Sequence, residues 1–401
     1  MGRLIENIGE HGQMRVLIAP DCFSGTLTAG QAAEAMAEGW AAGAPHDVLS
    51  LLPLSDGGPG FLDVLSGALG GVSVLVMVAD PFRRPTPASI LMHDSGGLRT
   101  AYIESAQACG LHLLADDERN PMVTSTYGVG QLIEAAVAEG ATRVVVGLGG
   151  SGTNDAGAGM LAALGVGRPD SLAAGGAKLG DLPADALGGL QRVRERLHGV
   201  DLVLASDVDS PLLGLQGASA VFAPQKGATP EMAQELESAL GHFSEVARMT
   251  LPMGPDLLTG RELRLDRMPG AGAAGGLGYG LLLLGARRVS GVEAVLEAVA
   301  FDALAQANDL VVTGEGTFDW QSLSGKVVAG VAAAALARAK PTVVIAGQVL
   351  VGRRDTMALG ISGTYAVAEN PMQLAAALAD PAGTLSARTR RVATTWSPRR
   401  T

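Results

Sequence analysis

The sequence predicts an α/β fold made of two α/β domains, and three observations carry that prediction. Short runs of Val, Ile and Leu recur along the chain, and each ends in a loop of Gly, Asp, Asn or Ser before a helical pattern begins. This β-loop-α rhythm marks a parallel, doubly wound sheet. The rhythm is strong toward both chain ends and changes in the middle, where alternating runs separated by turns suggest antiparallel strands. Nearly half of the 401 residues are apolar, yet aromatics are scarce and Ala, Gly, Val and Leu dominate. Such a mix suits helices packed closely over buried parallel strands.

Residues 1–14 are polar and patternless, and a flexible extension is expected there. Val16-Leu-Ile-Ala-Pro20 reads as a buried strand that leads into Asp21-Cys-Phe-Ser-Gly25. A helix follows from about Thr28, with Ala32, Met36 and Trp40 on its apolar face. Val48–Leu52 is a second strand, ending in Ser55-Asp-Gly-Gly58 ahead of another helix. Val72–Val78, Ala88–Leu91 and Arg99–Ile103 form the antiparallel set. Helical patterns return at Gly128–Glu139 and after Gly159, and a strand at Leu202–Ala205 runs into Ser206-Asp-Val-Asp-Ser-Pro211. The stretch Pro269–Gly278, rich in Gly and Ala, opens a helix. Asp309–Thr313 then precedes a Gly-Glu-Gly loop, and Thr342–Ala346 precedes Gly347-Gln348.

The expected organisation is a discontinuous Rossmann-like parallel domain, 15–71 with 286–384, and an inserted mixed α/β domain, 72–285. The active site is expected in the cleft between them. Residues 385–401, rich in Arg and Thr, are expected to be a flexible tail. The net charge of −11 argues against nucleic acid and anionic membranes as partners. Two cysteines, Cys22 and Cys109, are too few for a disulfide framework. No signal peptide or membrane-spanning run is visible, so a cytoplasmic location is expected. The six histidines are scattered without metal-ligand spacing, which argues against zinc.

Chemistry concentrates in the loops beyond the strand ends. Val144-Val-Val-Gly-Leu-Gly-Gly-Ser-Gly-Thr-Asn-Asp155 has the layout that phosphate binding needs. Its glycines, Gly149 and Gly150, let backbone N–H groups approach an anion, Ser151 and Asn154 add donors, and a helix start adds a favourable dipole. Asp21, Asp56, Asp155, Asp207, Asp209 and Glu315 place carboxylates on separate strand ends. Clustered carboxylates repel unless a cation or donor compensates, which suggests Mg2+ with substrate phosphates. Lys226 in Pro224-Gln-Lys-Gly227 and Lys326 in Gly325-Lys326 are candidates to offset phosphoryl charge. Two formal G-x-G-x-x-G patterns, Gly147/Gly149/Gly152 and Gly270/Gly272/Gly275, keep a nicotinamide-dependent oxidoreductase open as an alternative.

Taken in order, these loops resemble the bacterial glycerate kinase family of the first class. The resemblance rests on Ala19-Pro-Asp-Cys-Phe-Ser-Gly-Thr-Leu27, Ser55-Asp-Gly-Gly58, Ile103-Glu104, Thr124-Ser-Thr-Tyr-Gly128 and Gly149-Gly-Ser-Gly-Thr-Asn-Asp155. It continues through Asp207-Val-Asp209, Phe222–Ala228, Gly270–Gly276 and Thr313-Gly-Glu-Gly316 to Gly325-Lys326. The resemblance implies ATP-dependent phosphorylation of D-glycerate with Mg2+, usually at the 2-hydroxyl.

The sequence departs from the family at Ser24 (usually Lys), Pro59 (Glu), Phe61 (Thr), Ser210 (Asn) and Thr317 (Arg). These departures leave open a related hydroxy-acid kinase or a non-catalytic relative. On this reading Asp155, Asp207, Lys226 and Lys326 are catalytic, and Asp207 with Asp209 holds the metal. Asp21, Ser24, Asp56 and Asn154 bind the acceptor; Gly149, Gly150, Ser151, Gly275, Gly276 and Glu315 bind the nucleotide. The expected partners are a small hydroxy acid and a nucleotide, with a homodimer allowed.

Overall fold

The computed structural model describes residues 13–23, 25–254, 260, 262–323 and 325–397. Among them the strands are, in chain order, β1 (Arg15–Ile18), β2 (Val48–Leu51), β3 (Val72–Ala79), β4 (Pro85–Ser95), β5 (Leu98–Glu104), β6 (Arg143–Gly147) and β7 (Asp201–Ala205). There follow β8 (Arg287–Val289), β9 (Leu310–Thr313), β10 (Thr317–Phe318), β11 (Thr342–Ala346), β12 (Gln348–Val349) and β13 (Ile361–Ala366). The chain divides into two compact units. A terminal unit takes Met1–Asp56, Asp63–Leu69 and Gly291–Thr401; an inner unit takes Gly57–Leu62 and Gly70–Ser290.

The terminal unit holds a parallel sheet in the order β13-β11-β9-β1-β2. Read by position, this is the doubly wound order 2-1-3-4-5, with its switch of direction between β1 and β9. The central strands are buried on both faces, which is why their sequences are unbroken Val, Leu and Ile. The helix Ala29–Gly43 begins with a capping box: Thr28 accepts from Gln31 N, and the Gln31 side chain accepts from Thr28 N.

The expected tail from Leu385 is instead the helix Pro381–Trp396, started by Asp380 Oδ1 accepting from Gly383 N at 3.0 Å. Leu385, Val392 and Ala393 bury among Ala32, Met36 and Trp40 of the first helix. The two helices touch almost backbone to backbone. A Cβ at Gly39 would collide with the Ser386 carbonyl oxygen, and one at Gly43 with that of Arg390. The last helix buries only four residues, Leu385, Thr389, Val392 and Ala393, among many Arg and Thr, which leaves little apolar periodicity to read. Of the expected N-terminal extension, residues 1–12 lie outside the described residues.

The inner unit holds a mixed sheet in the order β3-β4-β5-β6-β7-β8. β3, β4 and β5 pair antiparallel, as their alternation predicts, and β5 through β8 pair parallel. Its core joins Val144 and Val146 of β6 and Leu202 and Leu204 of β7 to the helices Tyr127–Ala138, Pro230–Thr250 and Ala273–Leu283. Phe243 and Tyr279 close it edge to face, with ring centroids 6.1 Å apart. No helix among the described residues is long and apolar enough to cross a membrane.

Candidate active site

In the terminal unit, the backbone ladder runs past the named strands and lines up their loops. Ala19 N donates to Val312 O at 2.7 Å and Asp21 N to Gly314 O at 2.8 Å. On the other side Leu52 N donates to Ile18 O and Leu54 N to Pro20 O. Beyond β9, Gly347 N donates to Glu315 O at 3.1 Å. Asp21, Asp56 and Glu315 therefore emerge from three adjacent loops at the carboxyl ends of β1, β2 and β9 respectively. Asp21 and Glu315 flank the switch point itself.

Their electrostatics follow from that crowding. The Asp21 carboxyl is pushed up to about 7, first by burial and then by the charge of Asp56, against the hydrogen bond it accepts from Cys22 N at 2.7 Å. Glu315 also rises to about 7, chiefly by burial, while Ser322 and Lys326 pull it down. Glu315 is 6% exposed, and its Oε1 is buried without a hydrogen-bond partner. Lys326 is partly buried and stands immediately before the helix Val327–Ala337, where a lysine and a helix N-terminus together favour an anion.

In the inner unit the glycine loop after β6 closes around a buried cation. Lys226, 1% exposed, donates from Nζ to Ser151 Oγ at 3.0 Å and to Thr153 O at 2.6 Å. Burial lowers its pKa to about 8, although Cys109 and Asp155 nearby favour the charge. Asn154 is wholly buried, donates from Nδ2 to Ser219 Oγ at 3.0 Å and leaves Oδ1 without a partner. Glu104, at the end of β5, accepts from Gly60 N at 3.2 Å and Leu62 N at 3.3 Å, so it caps the segment entering the next helix.

Asp155, read from the sequence as a catalytic candidate, lies inside the loops it joins. It is fully buried and accepts from Thr126 N at 2.8 Å, Thr126 Oγ1 at 3.0 Å and the N–H groups of Gly157 and Gly159, each at 3.2 Å. Burial pushes its pKa up while these bonds pull it down. A carboxylate so enclosed ties the loop before one helix to the start of another.

Comparison with known proteins decides the family. The sequence model of the "Glycerate kinase family" matches residues 16–397. The chain belongs to the glycerate kinase family. It is 42% identical to a glycerate kinase from Bacillus subtilis over 369 residues, covering 90% of this chain and 92% of that one. It is 38% identical to a glycerate 2-kinase from Escherichia coli over 339 residues, covering 83% and 85%. A crystal structure from Salmonella typhimurium LT2, carrying the provisional name glycerate kinase 2, superposes with a TM-score of 0.76 at 34% identity, covering 96% of this chain and 98% of that one. This glycerate kinase family member is a phosphotransferase acting with a nucleotide substrate. The nicotinamide-dependent alternative falls away.

Among the predicted site residues of this family member, Asp21, Asp56, Glu315 and Lys326 gather in the terminal unit. Ser151, Asn154, Asp155 and Lys226 gather in the inner unit. Ser24 lies outside the described residues. Asp207 accepts from Ser290 Oγ at 2.5 Å, and Asp209, mostly exposed, pairs with Arg288 at 2.7 Å.

Gly275 and Gly276 work by close approach. With Ala274 they form three successive left-handed residues, and a Cβ at Gly275 would collide with Thr153 O. Gly276 N donates to Gly272 O at 3.2 Å, so that N–H is already used within the loop. Gly149 and Gly150 press against Gly58 and Pro59 in the same way. Thr126, partner of Asp155, was read only within the segment Thr124–Gly128 and given no role, and Ser219, partner of Asn154, escaped the sequence reading. An isolated hydroxyl in an otherwise apolar helix start, as at Ser219, is the signal that was available.

Proposed function

We propose that this chain transfers the γ-phosphoryl group of ATP to D-glycerate, at the 2-hydroxyl, with Mg2+ accompanying the nucleotide. The observation that carries the reading is the placement of Asp21 and Glu315 on either side of the β1/β9 switch point, where doubly wound sheets bind their ligands. The names of the Bacillus and Escherichia relatives support the acceptor and the hydroxyl.

Among the described residues no group of three or more His, Cys, Asp or Glu is arranged to hold a metal ion. Mg2+ takes one or two carboxylates and fills its shell with phosphate oxygens and water, so no larger protein cluster is required of its site. The unpartnered buried Oε1 of Glu315 fits a cation, so Glu315, with Asp56 close enough to raise its pKa, would hold it. When bound, Mg2+ neutralises charge on the phosphates as the terminal group moves.

Asp21 is the group we assign as base. It takes the proton of the acceptor hydroxyl as that oxygen bonds to the γ-phosphorus and the bond to the β–γ bridging oxygen breaks. A carboxyl held near 7 is matched to that task at neutral pH. Lys326 and the N–H groups at the start of its helix hold phosphate oxygens. Lys226 acts as a positioning residue, fixing Ser151 and Thr153 in the glycine loop.

A coupled assay of ADP release over a panel of hydroxy acids tests the reading, with the product examined by phosphorus NMR. Turnover dependent on D-glycerate and Mg2+, yielding the 2-phosphate, is expected. Turnover confined to another hydroxy acid would support the second reading, which Thr317 favours by standing where the family carries Arg. No ADP release with any acceptor would overturn both.

A further inference from the structure

The connection that runs from Glu315 to Lys326 carries one side chain that phosphoryl transfer has not used. Trp320 is 72% exposed, and among the described residues it is the only aromatic side chain that stands mostly in water. A single exposed apolar side chain is ordinary on a protein surface, so its position decides whether it has a use. An indole pays for exposure with a large apolar area left unburied, and a flat ligand recovers that area when it stacks.

The turn that carries Trp320 is pinned on both sides. Phe318, two residues earlier, is wholly buried and belongs to the parallel β10–β12 pair, where Leu350 N donates to Phe318 O at 2.8 Å. Leu350, also exposed, follows β12 at the same end of that pair. After Trp320, Asp319 Oδ1 accepts from Gln321 N at 2.9 Å and from Ser322 N at 3.3 Å, closing the turn. The wholly buried Ser322 accepts from Asp319 N at 3.3 Å and also hydrogen-bonds the Glu315 carboxyl, lowering its pKa. The indole is therefore tied through Ser322 to the carboxylate assigned to the cation. It also stands six positions before Lys326. Six residues of extended chain span about 20 Å at most. The 3-10 turn Gln321–Leu323 shortens that path.

We propose that Trp320 is the platform on which the base of the nucleotide stacks, with Leu350 at its rim, while the phosphates lie at Lys326 and the start of the helix that follows. The inference rests on the phosphate placement given above and adds the residue that receives the other end of the same substrate. A nucleotide has two chemically distinct ends. Its phosphates call for cations and N–H donors, and its base offers a π face that an aromatic side chain binds without reading its edge. This one connection supplies both, in order along the chain. Trp320 touches no reacting atom, so it contributes equally to the ground and transition states and acts through nucleotide affinity.

The chain has three tryptophans; Trp40 is wholly buried, and Trp396 is half-buried with its Nε1 donating to Tyr365 Oη at 2.8 Å. Quenching of indole fluorescence on titration therefore reports chiefly on Trp320. It is expected with MgATP and not with magnesium tripolyphosphate, which carries the phosphates without a base. By calorimetry, Trp320→Ala should weaken MgATP binding about tenfold or more and leave tripolyphosphate binding unchanged. Trp320→Phe should restore most of the MgATP affinity while abolishing the quench. In steady-state assays Trp320→Ala should raise KM for ATP with kcat little changed. Equal MgATP affinity in the wild type and Trp320→Ala would overturn the proposal. So would an equal loss for tripolyphosphate, which would make the indole a structural part of the turn. These titrations need no acceptor. A chain that released no ADP would sink the phosphoryl-transfer reading, and the comparison of MgATP with tripolyphosphate would still decide the stack.

Discussion

Lys226, itself buried, carries its ammonium group 2.6 Å from the carbonyl oxygen of the wholly buried Thr153. Its pKa of about 8 against the ordinary 10.5 makes this contact a pH-dependent element of stability. Below pH 8 the lysine is charged in both the folded and unfolded chain, and the full burial penalty applies. Between pH 8 and 10.5 the folded chain releases the proton while the unfolded chain keeps it, so stability rises with pH. The gain approaches about 3 kcal/mol at the upper end. Urea midpoints across this window should rise in the wild type and stay flat, on the same background, in Lys226→Met.

Asp21→Asn removes the proposed base without changing shape. A fall in kcat of about 10²-fold or more is expected, with KM changed only a few-fold. The wild-type rate should climb with pH and level off above about 7, and that limb should vanish in the variant. Stability moves the other way. A carboxyl whose pKa is raised on folding costs stability as it ionises, so Asp21→Asn should be the more stable protein at pH 8. Steady-state kinetics and thermal melts on the same samples check both halves.

Glu315→Gln keeps the size of the side chain and removes the charge facing the unpartnered Oε1 position. At saturating ATP the Mg2+ concentration giving half-maximal rate should increase by about tenfold or more. An unchanged Mg2+ titration would remove Glu315 from the metal's surroundings.

Gly275→Ala tests the close approach of the two glycine-bearing loops in the inner unit. With φ at 69° and the Thr153 carbonyl oxygen in the way, the added methyl group should cost about 2–4 kcal/mol. Gly199→Ala, where a Cβ meets nothing within 4 Å, is the matched control and should change little. Denaturant midpoints at constant m value report the difference.

What could be read from the sequence depended on how each element is buried. β11 was legible to the residue because all five of its side chains are buried, so no polar position interrupts the run. β13, Ile361-Ser-Gly-Thr-Tyr-Ala366, lies at the sheet edge and is mostly half-exposed, so it carries no such run. The last helix was missed because Leu385 and Val392 are the only large apolar residues it buries, and Arg and Thr fill half of the remaining positions. Asp21 and Glu315 were visible as acidic residues at strand ends. Their adjacency was not, since strand order arises from contacts between residues as distant as Arg15 and Asp309, 294 positions apart. The burial of Asp155 was equally hidden, because Thr126, its first donor, sits 29 residues upstream.

The scattered membership of the terminal unit sets a timetable for the nascent chain. β1 leaves the ribosome early, but its neighbour β9 is still nearly three hundred residues from being translated. The inner unit is almost one continuous stretch and can consolidate as it emerges. The acidic loops at the switch point acquire their final neighbours only afterwards, so catalytic competence is among the last properties this polypeptide gains.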